Sequence, residues 1–142
     1  MKSLKVTLGL VLFLLSLVAC EKSEKTDYQS EIYGIWKLTE VLSDIGDGNG
    51  QWREIENGYE YIFYPGGTFT STRFTDCTVG IYTVNADELT LDFDCENITI
   101  GNTEIPNGIL IENISFESDF LMLQPTYIFC SEKCGWRFTK NK

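Results

Sequence analysis

Hydrophobic and polar residues alternate along much of the chain after residue 33. In the segment 89–94, a leucine or phenylalanine occupies every second position, with Thr90, Asp92 and Asp94 between them. Successive side chains of a β-strand point to opposite faces, so this pattern predicts a strand with one buried and one solvated face. We therefore interpret Asp92 and Asp94 as solvated strand residues and not as a pair of catalytic carboxylates.

Segments rich in β-branched and aromatic residues follow one another along the chain, joined by turn sequences such as Asn107-Gly108. The predicted strands are 34–42, 59–64, 68–74, 79–84, 89–94, 109–116, 120–124 and 135–139, with a shorter one beginning at 98–100. No convincing helical periodicity follows residue 20. Consecutive hairpins predict an all-β, eight-stranded antiparallel up-and-down barrel, which leaves no exposed edge. A two-sheet β-sandwich is the alternative.

The amino terminus has the pattern of an export signal. Lys2 and Lys5 precede an apolar run at 6–18, and small residues lead to Cys20. The run is too short for a confident membrane-spanning helix. We predict a lipoprotein signal peptide at 1–19, cleaved before a lipidated Cys20. Several acyl chains on this cysteine would hold the protein stably in a membrane.

The remaining chain has the length of one domain. We predict a lipidated terminus and flexible tether at 20–31 and a barrel domain at 32–142. Without Lys2 and Lys5, nine basic residues remain against 21 acidic ones, a formal charge of −12. Such a surface repels nucleic acid and anionic headgroups, so we expect no nucleic-acid partner and attachment to the membrane through the acyl chains alone. Glu21 follows the cysteine, which weakly favours the outer membrane of the cell envelope.

Four cysteines remain in the predicted domain, an even number that favours two disulfides in an exported chain. A hairpin that turns at 85–88 places Cys77 opposite Cys95 or one residue away, and Cys130 and Cys134 can close a short loop. These two pairings are favoured over crossed ones. The chain has no histidine, so a metal site at Cys130 and Cys134 is disfavoured. We predict no metal and no cofactor.

The absence of histidine also excludes the Ser-His-Asp and Cys-His arrangements of nucleophilic catalysis. No other nucleophile and base stand out in the sequence. We therefore do not expect an enzyme.

Two features resemble the lipocalin family: a Gly-x-Trp motif at Gly34 and Trp36 near the start of the first strand, and Arg137 in the last. A closer resemblance is to the lipocalin-like lipoproteins of Bacteroidetes. It rests on the segments 36–44, 46–50 and 63–69 together with Cys130 and Cys134. The resemblance implies a barrel in which Trp36 closes one end and Arg137 packs across it. A cation stacked on a large buried ring would stabilise that end.

The glycine-rich segment 43–52 holds Asp44, Asp47 and Asn49, and it ends at Trp52. An EF-hand needs oxygen ligands at positions 1, 3 and 5 and an acid at 12, and neither aspartate register supplies them. Because lipocalins carry a long connection after the first strand, we interpret this segment as a loop over the barrel mouth.

Two functions remain open from the sequence. The first is binding of a small apolar or amphipathic ligand inside the barrel. The aromatic residues expected to line such a site are Tyr61, Phe63, Phe69 and Tyr82. The second is a non-enzymatic interaction or structural module of the cell envelope, with a filled core.

Overall fold

The computed structural model describes residues 28–44, 48–130 and 133–142. These contain one short helix, α1 (Tyr28–Glu31), and eleven strands. The strands are β1 (Gly34–Ser43), β2 (Gln51–Glu54), β3 (Glu60–Phe63), β4 (Thr68–Ser71), β5 (Val79–Asn85), β6 (Glu88–Phe93), β7 (Asn97–Ile100), β8 (Thr103–Pro106), β9 (Ile109–Glu117), β10 (Phe120–Pro125) and β11 (Cys134–Asn141).

Eight of these strands form a closed barrel. Neighbouring strands pair antiparallel in the order β1, β3, β4, β5, β6, β9, β10 and β11, and β11 pairs back with β1. The closing register runs from Ile35 opposite Asn141 to Ser43 opposite Cys134. The predicted up-and-down barrel is therefore confirmed, and the alternative β-sandwich is wrong. We call the end at which β1 finishes the mouth end, and the opposite end the closed end.

Strand β1 has two successive partners on one side. Its first half, from Gly34 to Lys37, pairs with β3, and its second half, from Glu40 to Ser43, pairs with β2. Strand β2 was not predicted, because Gln51–Glu54 is short and mostly polar. The predicted mouth loop is therefore shorter than expected on its carboxyl side.

Strands β7 and β8 form a separate hairpin between β6 and β9. Ile98 and Ile105 face each other across it, and both are buried. Asn107 and Gly108 then turn the chain into β9 with φ angles of 61° and 63°. This left-handed conformation suits asparagine and glycine, which explains why the pair is a reliable turn signal.

Helix α1 covers the closed end. The Tyr28 ring lies 5.3 Å from the Phe116 ring, and the Trp36 indole donates a hydrogen bond to the Ile32 carbonyl at 2.8 Å. Ile32 is fully buried. Thus the last four residues of the predicted tether, 28–31, are helical and packed on the barrel. Tyr28 makes the apolar contact of this helix, but it lies in an otherwise polar segment that gave no helical signal.

The barrel interior is filled by side chains. The largest fully buried ones are Tyr61, Phe63, Phe69, Phe93, Phe138, Ile32, Leu89, Leu91, Leu110, Ile114, Leu121 and Leu123. All of them except Ile32 lie in β3, β4, β6, β9, β10 or β11. Strand β1 adds Trp36 and Leu38 to the core, and β5 adds Tyr82. Close packing of this kind is what stabilises a small domain.

Both predicted disulfides are present. Cys77 bonds to Cys95 across the hairpin of β5 and β6, and Cys130 bonds to Cys134, with Cα–Cα distances of 5.9 Å in each. In the hairpin register Gly80 faces Phe93, which places Cys77 one residue from the position directly opposite Cys95. Both bridges lie at the mouth end, where they constrain the connecting loops.

Candidate functional site

The interior near the mouth end contains a buried polar cluster around Arg73. Strand β4 ends at Ser71, three residues before the predicted end, and the Ser71 hydroxyl accepts a hydrogen bond from the Arg73 amide at 3.0 Å. This local turn releases the chain from the sheet. The Arg73 side chain then enters the barrel, where it is only 8% exposed.

Three oxygen atoms accept hydrogen bonds from the Arg73 guanidinium. Nη1 donates to the Tyr61 hydroxyl and to Glu112 Oε1, both at 3.2 Å, and Nη2 donates to the Tyr127 hydroxyl at 3.0 Å. The Tyr127 hydroxyl in turn donates to Glu112 Oε1 at 2.7 Å. Because Glu112 is fully buried, this is an ion pair inside the protein and not a surface contact.

Aromatic rings surround the same guanidinium. The Arg73 Cζ atom lies 4.8 Å from the Trp136 ring centroid, 5.1 Å from Tyr59, 5.2 Å from Phe74 and 5.9 Å from Tyr127. Cation–π attraction strengthens when water is excluded, as it is here. Arg73 therefore fills the space that an open barrel would offer to a ligand at this end.

Within the part of the chain that the structure describes, two oxygen atoms of the cluster have no hydrogen-bond partner. They are Glu112 Oε2 and the Tyr59 hydroxyl, both buried. An unpaired buried oxygen is costly, so each is a place where a hydrogen-bond donor would be favourable.

Burial governs the titration of this cluster. Burial raises the pKa of Glu112, although Arg73 and the Tyr127 hydroxyl oppose the shift. Burial also raises the pKa of Tyr61, to about 12, and that of Tyr59. For Arg73, burial lowers the pKa, but the facing tyrosine and glutamate oxygens outweigh it and the net shift is upward. The guanidinium therefore stays charged at every physiological pH.

The four residues predicted to line a ligand site pack against one another instead. The Phe63 ring lies 5.5 Å from Tyr61, 6.1 Å from Phe69 and 4.9 Å from Tyr82. The Tyr82 hydroxyl is satisfied by the Tyr64 carbonyl at 3.0 Å. Concavities of about 470, 560 and 760 Å³ are open at the surface of the described residues, and of the four predicted residues only Phe69 borders one of these three.

The predicted contact between Trp36 and Arg137 is replaced by two others. Trp36 faces Lys140 in the register of β1 and β11, and Lys140 Nζ lies 5.0 Å from its ring centroid. Arg137 faces Glu40 and bonds to it at 2.7 Å, while its Cζ lies 4.0 Å from the Trp52 ring centroid. The register of β1 against β11 pairs Trp36 with Lys140, which lies three residues after Arg137, so the predicted contact between Trp36 and Arg137 is wrong. The cation over Trp36 is thus a lysine.

Gly34 is required where it stands. Its φ angle is +126°, and a Cβ atom there would lie 2.7 Å from Lys140 Cε. Only glycine adopts this conformation readily. Gly34 thus allows Lys140 to reach the Trp36 ring.

Three of the four predicted mouth-loop residues lie within the described part of the chain. Asp44 and Asn49 lie in the connection between β1 and β2, and Trp52 lies in β2, where its ring contacts the Arg137 guanidinium. Asp47 lies outside the described residues, as does the predicted lipidation site, Cys20. The described part of the loop holds no group of three potential metal ligands.

Arg73, Glu112 and Tyr127 were not predicted as site residues. Glu112 carried a usable signal, since it alternates with Leu110 and Ile114 and so belongs to the buried face of β9. Arg73 is the single basic residue between Arg53 and Lys133, which is a second signal. Tyr127 follows β10 in a loop, and the sequence contains no pattern that places it inside the barrel.

One solved structure is similar to most of this chain. It is a lipocalin-like protein from Bacteroides uniformis ATCC 8492, with a TM-score of 0.54 and 17% sequence identity over 78% of this chain and 99% of the other. At this identity the match establishes a lipocalin-like fold. No protein-family model matches the chain, and no curated protein is significantly similar to it in sequence. Among the described residues, no helix is long and apolar enough to cross a membrane.

Proposed function

We propose that this protein is a lipid-anchored, non-enzymatic binding module of the cell envelope, which acts through the surface of a filled lipocalin-like barrel. The filled interior is the observation that carries this proposal. Tyr61, Phe63 and Phe69 are at most 1% exposed and in mutual ring contact, and the Arg73–Glu112 pair occupies the mouth end above them. A ligand inside the barrel would have to displace these side chains.

The anchor is the second part of the proposal. Lys2, Lys5, the apolar run at 6–18 and Cys20 support processing as a lipoprotein, and the outer membrane is the proposed location. Labelling cells with an alkyne analogue of palmitate tests it. The wild-type chain should take up label and sediment with membranes, and Cys20→Ser should do neither. Equal labelling of both chains would refute the anchor.

A small amphipathic ligand at the mouth end is the second candidate function. The unpartnered Glu112 Oε2 and Tyr59 hydroxyl favour it, because both would accept or share a hydrogen bond from a ligand donor. Such a ligand would carry an amine or hydroxyl on an apolar body. An anionic head group has no proton to donate, so it could not satisfy Glu112 Oε2.

Two probes of equal chain length separate the candidates: dodecylamine and dodecanoic acid. Trp136 lies 4.8 Å from the Arg73 guanidinium, so tryptophan fluorescence reports on the cluster. Neither probe should give a saturable change if the barrel acts through its surface. A saturable response to dodecylamine alone, lost in Glu112→Gln, would favour the second candidate and contradict the first.

A further inference from the structure

The barrel wall opposite β1 and β11 carries an exposed apolar surface. Its outward residues Tyr64, Val79 and Ile81 are 42%, 46% and 57% exposed, and Ile109 is 39% exposed. Isolated exposed apolar residues are ordinary, but a contiguous group marks an interaction site. We define the acidic-apolar face as these four residues together with Asp92 and Asp94.

Strand pairing makes these residues contiguous. Ile81 of β5 lies directly opposite Asp92 of β6, and Asp92 lies directly opposite Ile109 of β9. The Asp92 carboxylate is thus flanked on both sides by isoleucine. A concavity of about 470 Å³ runs over the neighbouring strands and includes Tyr64, Val79 and Asp94 in its lining.

The two aspartates of this face are unpaired. Neither Asp92 nor Asp94 forms an ion pair with a basic side chain among the described residues. The sequence explains this, because Arg73 is the single basic residue between Arg53 and Lys133, and it is buried with Glu112. The whole wall from β3 to β10 therefore offers no exposed positive charge to its own carboxylates.

We infer that the acidic-apolar face binds a polypeptide segment of a partner that carries basic and apolar side chains. A basic side chain would meet Asp92 and Asp94, and apolar neighbours would cover Ile81, Val79 and Ile109. From Tyr64 after β3 to Ile109 of β9 the face crosses five strands, or about 19 Å at about 4.8 Å per spacing, which is the length of about five or six extended residues. A second copy of this chain is disfavoured, because the sequence from 20 to 142 has a formal charge of −12. This inference rests on the proposed surface-acting function.

The test uses the full chain in phosphatidylcholine nanodiscs and a fluorescent pentapeptide of alternating lysine and leucine, with empty nanodiscs as the blank. We expect saturable binding that weakens with salt, as a charged contact does. Ile81→Thr and Asp92→Asn should each weaken it at least tenfold. The matched controls Ile35→Thr, an isoleucine 38% exposed on β1, and Asp119→Asn, an exposed acid at a distant turn, should leave it within twofold.

Three results would overturn the inference: no saturable binding, equal weakening by the test and control variants, or equal binding of a glutamate–leucine pentapeptide. Self-association abolished by Ile81→Thr would also overturn it, since the face would then join two copies. These failures differ from failure of the proposed function, which would appear as an extractable ligand inside the barrel. An empty barrel that ignores the pentapeptide refutes only the assignment of this face.

Discussion

Arg73 and Glu112 are 39 residues apart in the chain, but Nη1 of one and Oε1 of the other lie 3.2 Å apart inside the barrel. The two residues join the loop after β4 to the middle of β9 across the interior. Their contact replaces solvent or ligand at the mouth end. Removing either partner tests whether it also stabilises the fold.

The Arg73–Glu112 contact should behave as a coupled pair at pH 7. Arg73→Met and Glu112→Leu should each lower the free energy of unfolding by about 3–5 kcal/mol, because each leaves a buried polar partner unmatched. The double variant should lose less than the sum of the two, since it leaves neither charge buried without its opposite. Urea denaturation of the four chains measures the coupling. Additive losses would contradict it.

A control comes from the other ion pair. Glu40 and Arg137 are 23% and 19% exposed, so water screens their attraction. Glu40→Gln should cost less than about 1 kcal/mol.

Stability should depend on pH through Glu112. Burial raises its pKa above the ordinary value of 4.5, so the folded state binds this proton more tightly than the unfolded chain does. The stabilisation from that proton is complete below pH 4.5 and is lost as the pH rises through the raised pKa. Glu112→Gln cannot ionise there. The melting temperature of Glu112→Gln minus that of the wild type should therefore increase with rising pH. A difference that stays constant with pH would show that Glu112 does not cause the pH dependence.

The two disulfides should contribute unequally. Cys77 and Cys95 are separated by 18 residues, and Cys130 and Cys134 by four. The loop-entropy relation gives about 3 kcal/mol for the longer loop and about 2 kcal/mol for the shorter. Replacing each pair by alanines should thus lower the unfolding free energy more for Cys77 and Cys95. The reverse order in urea denaturation would mean that the 130–134 loop holds the mouth end.

Gly58 should be irreplaceable at the mouth end. A Cβ atom there would clash with the Leu38 carbonyl oxygen, whereas one at Gly135 would meet nothing closer than 3.5 Å. Gly58→Ala should therefore destabilise by about 1–3 kcal/mol, as overpacking does. Gly135→Ala is the control and should change the melting temperature little. Equal effects in thermal unfolding would show that the chain around Gly58 relaxes.

Strand alternation and turn residues were enough to predict the barrel. The clean alternation of β6 and the Asn107-Gly108 turn are local signals, and local signals fix hairpins. The same hairpin logic predicted the pairing of Cys77 with Cys95. Strand β2 escaped prediction because its stability comes from pairing with β1, which four mostly polar residues do not reveal.

Predicting the cluster around Arg73 required tertiary information that the sequence pattern does not contain. Glu112 could have been assigned to the buried face from its alternation with Leu110 and Ile114. The entry of Arg73 into the barrel depends on how the loop after β4 leaves the sheet, and that is set by tertiary contacts. The choice between Arg137 and Lys140 as the cation over Trp36 depended on the register of β1 against β11, which a strand pattern alone leaves open.

Native mass spectrometry of residues 21–142, produced in an oxidising compartment, tests the central claim of a filled barrel most directly. The mass should equal the bare polypeptide less four hydrogens, for two disulfides, both before and after organic extraction. A mass excess that extraction removes would contradict the claim, because it would show that the interior holds a ligand.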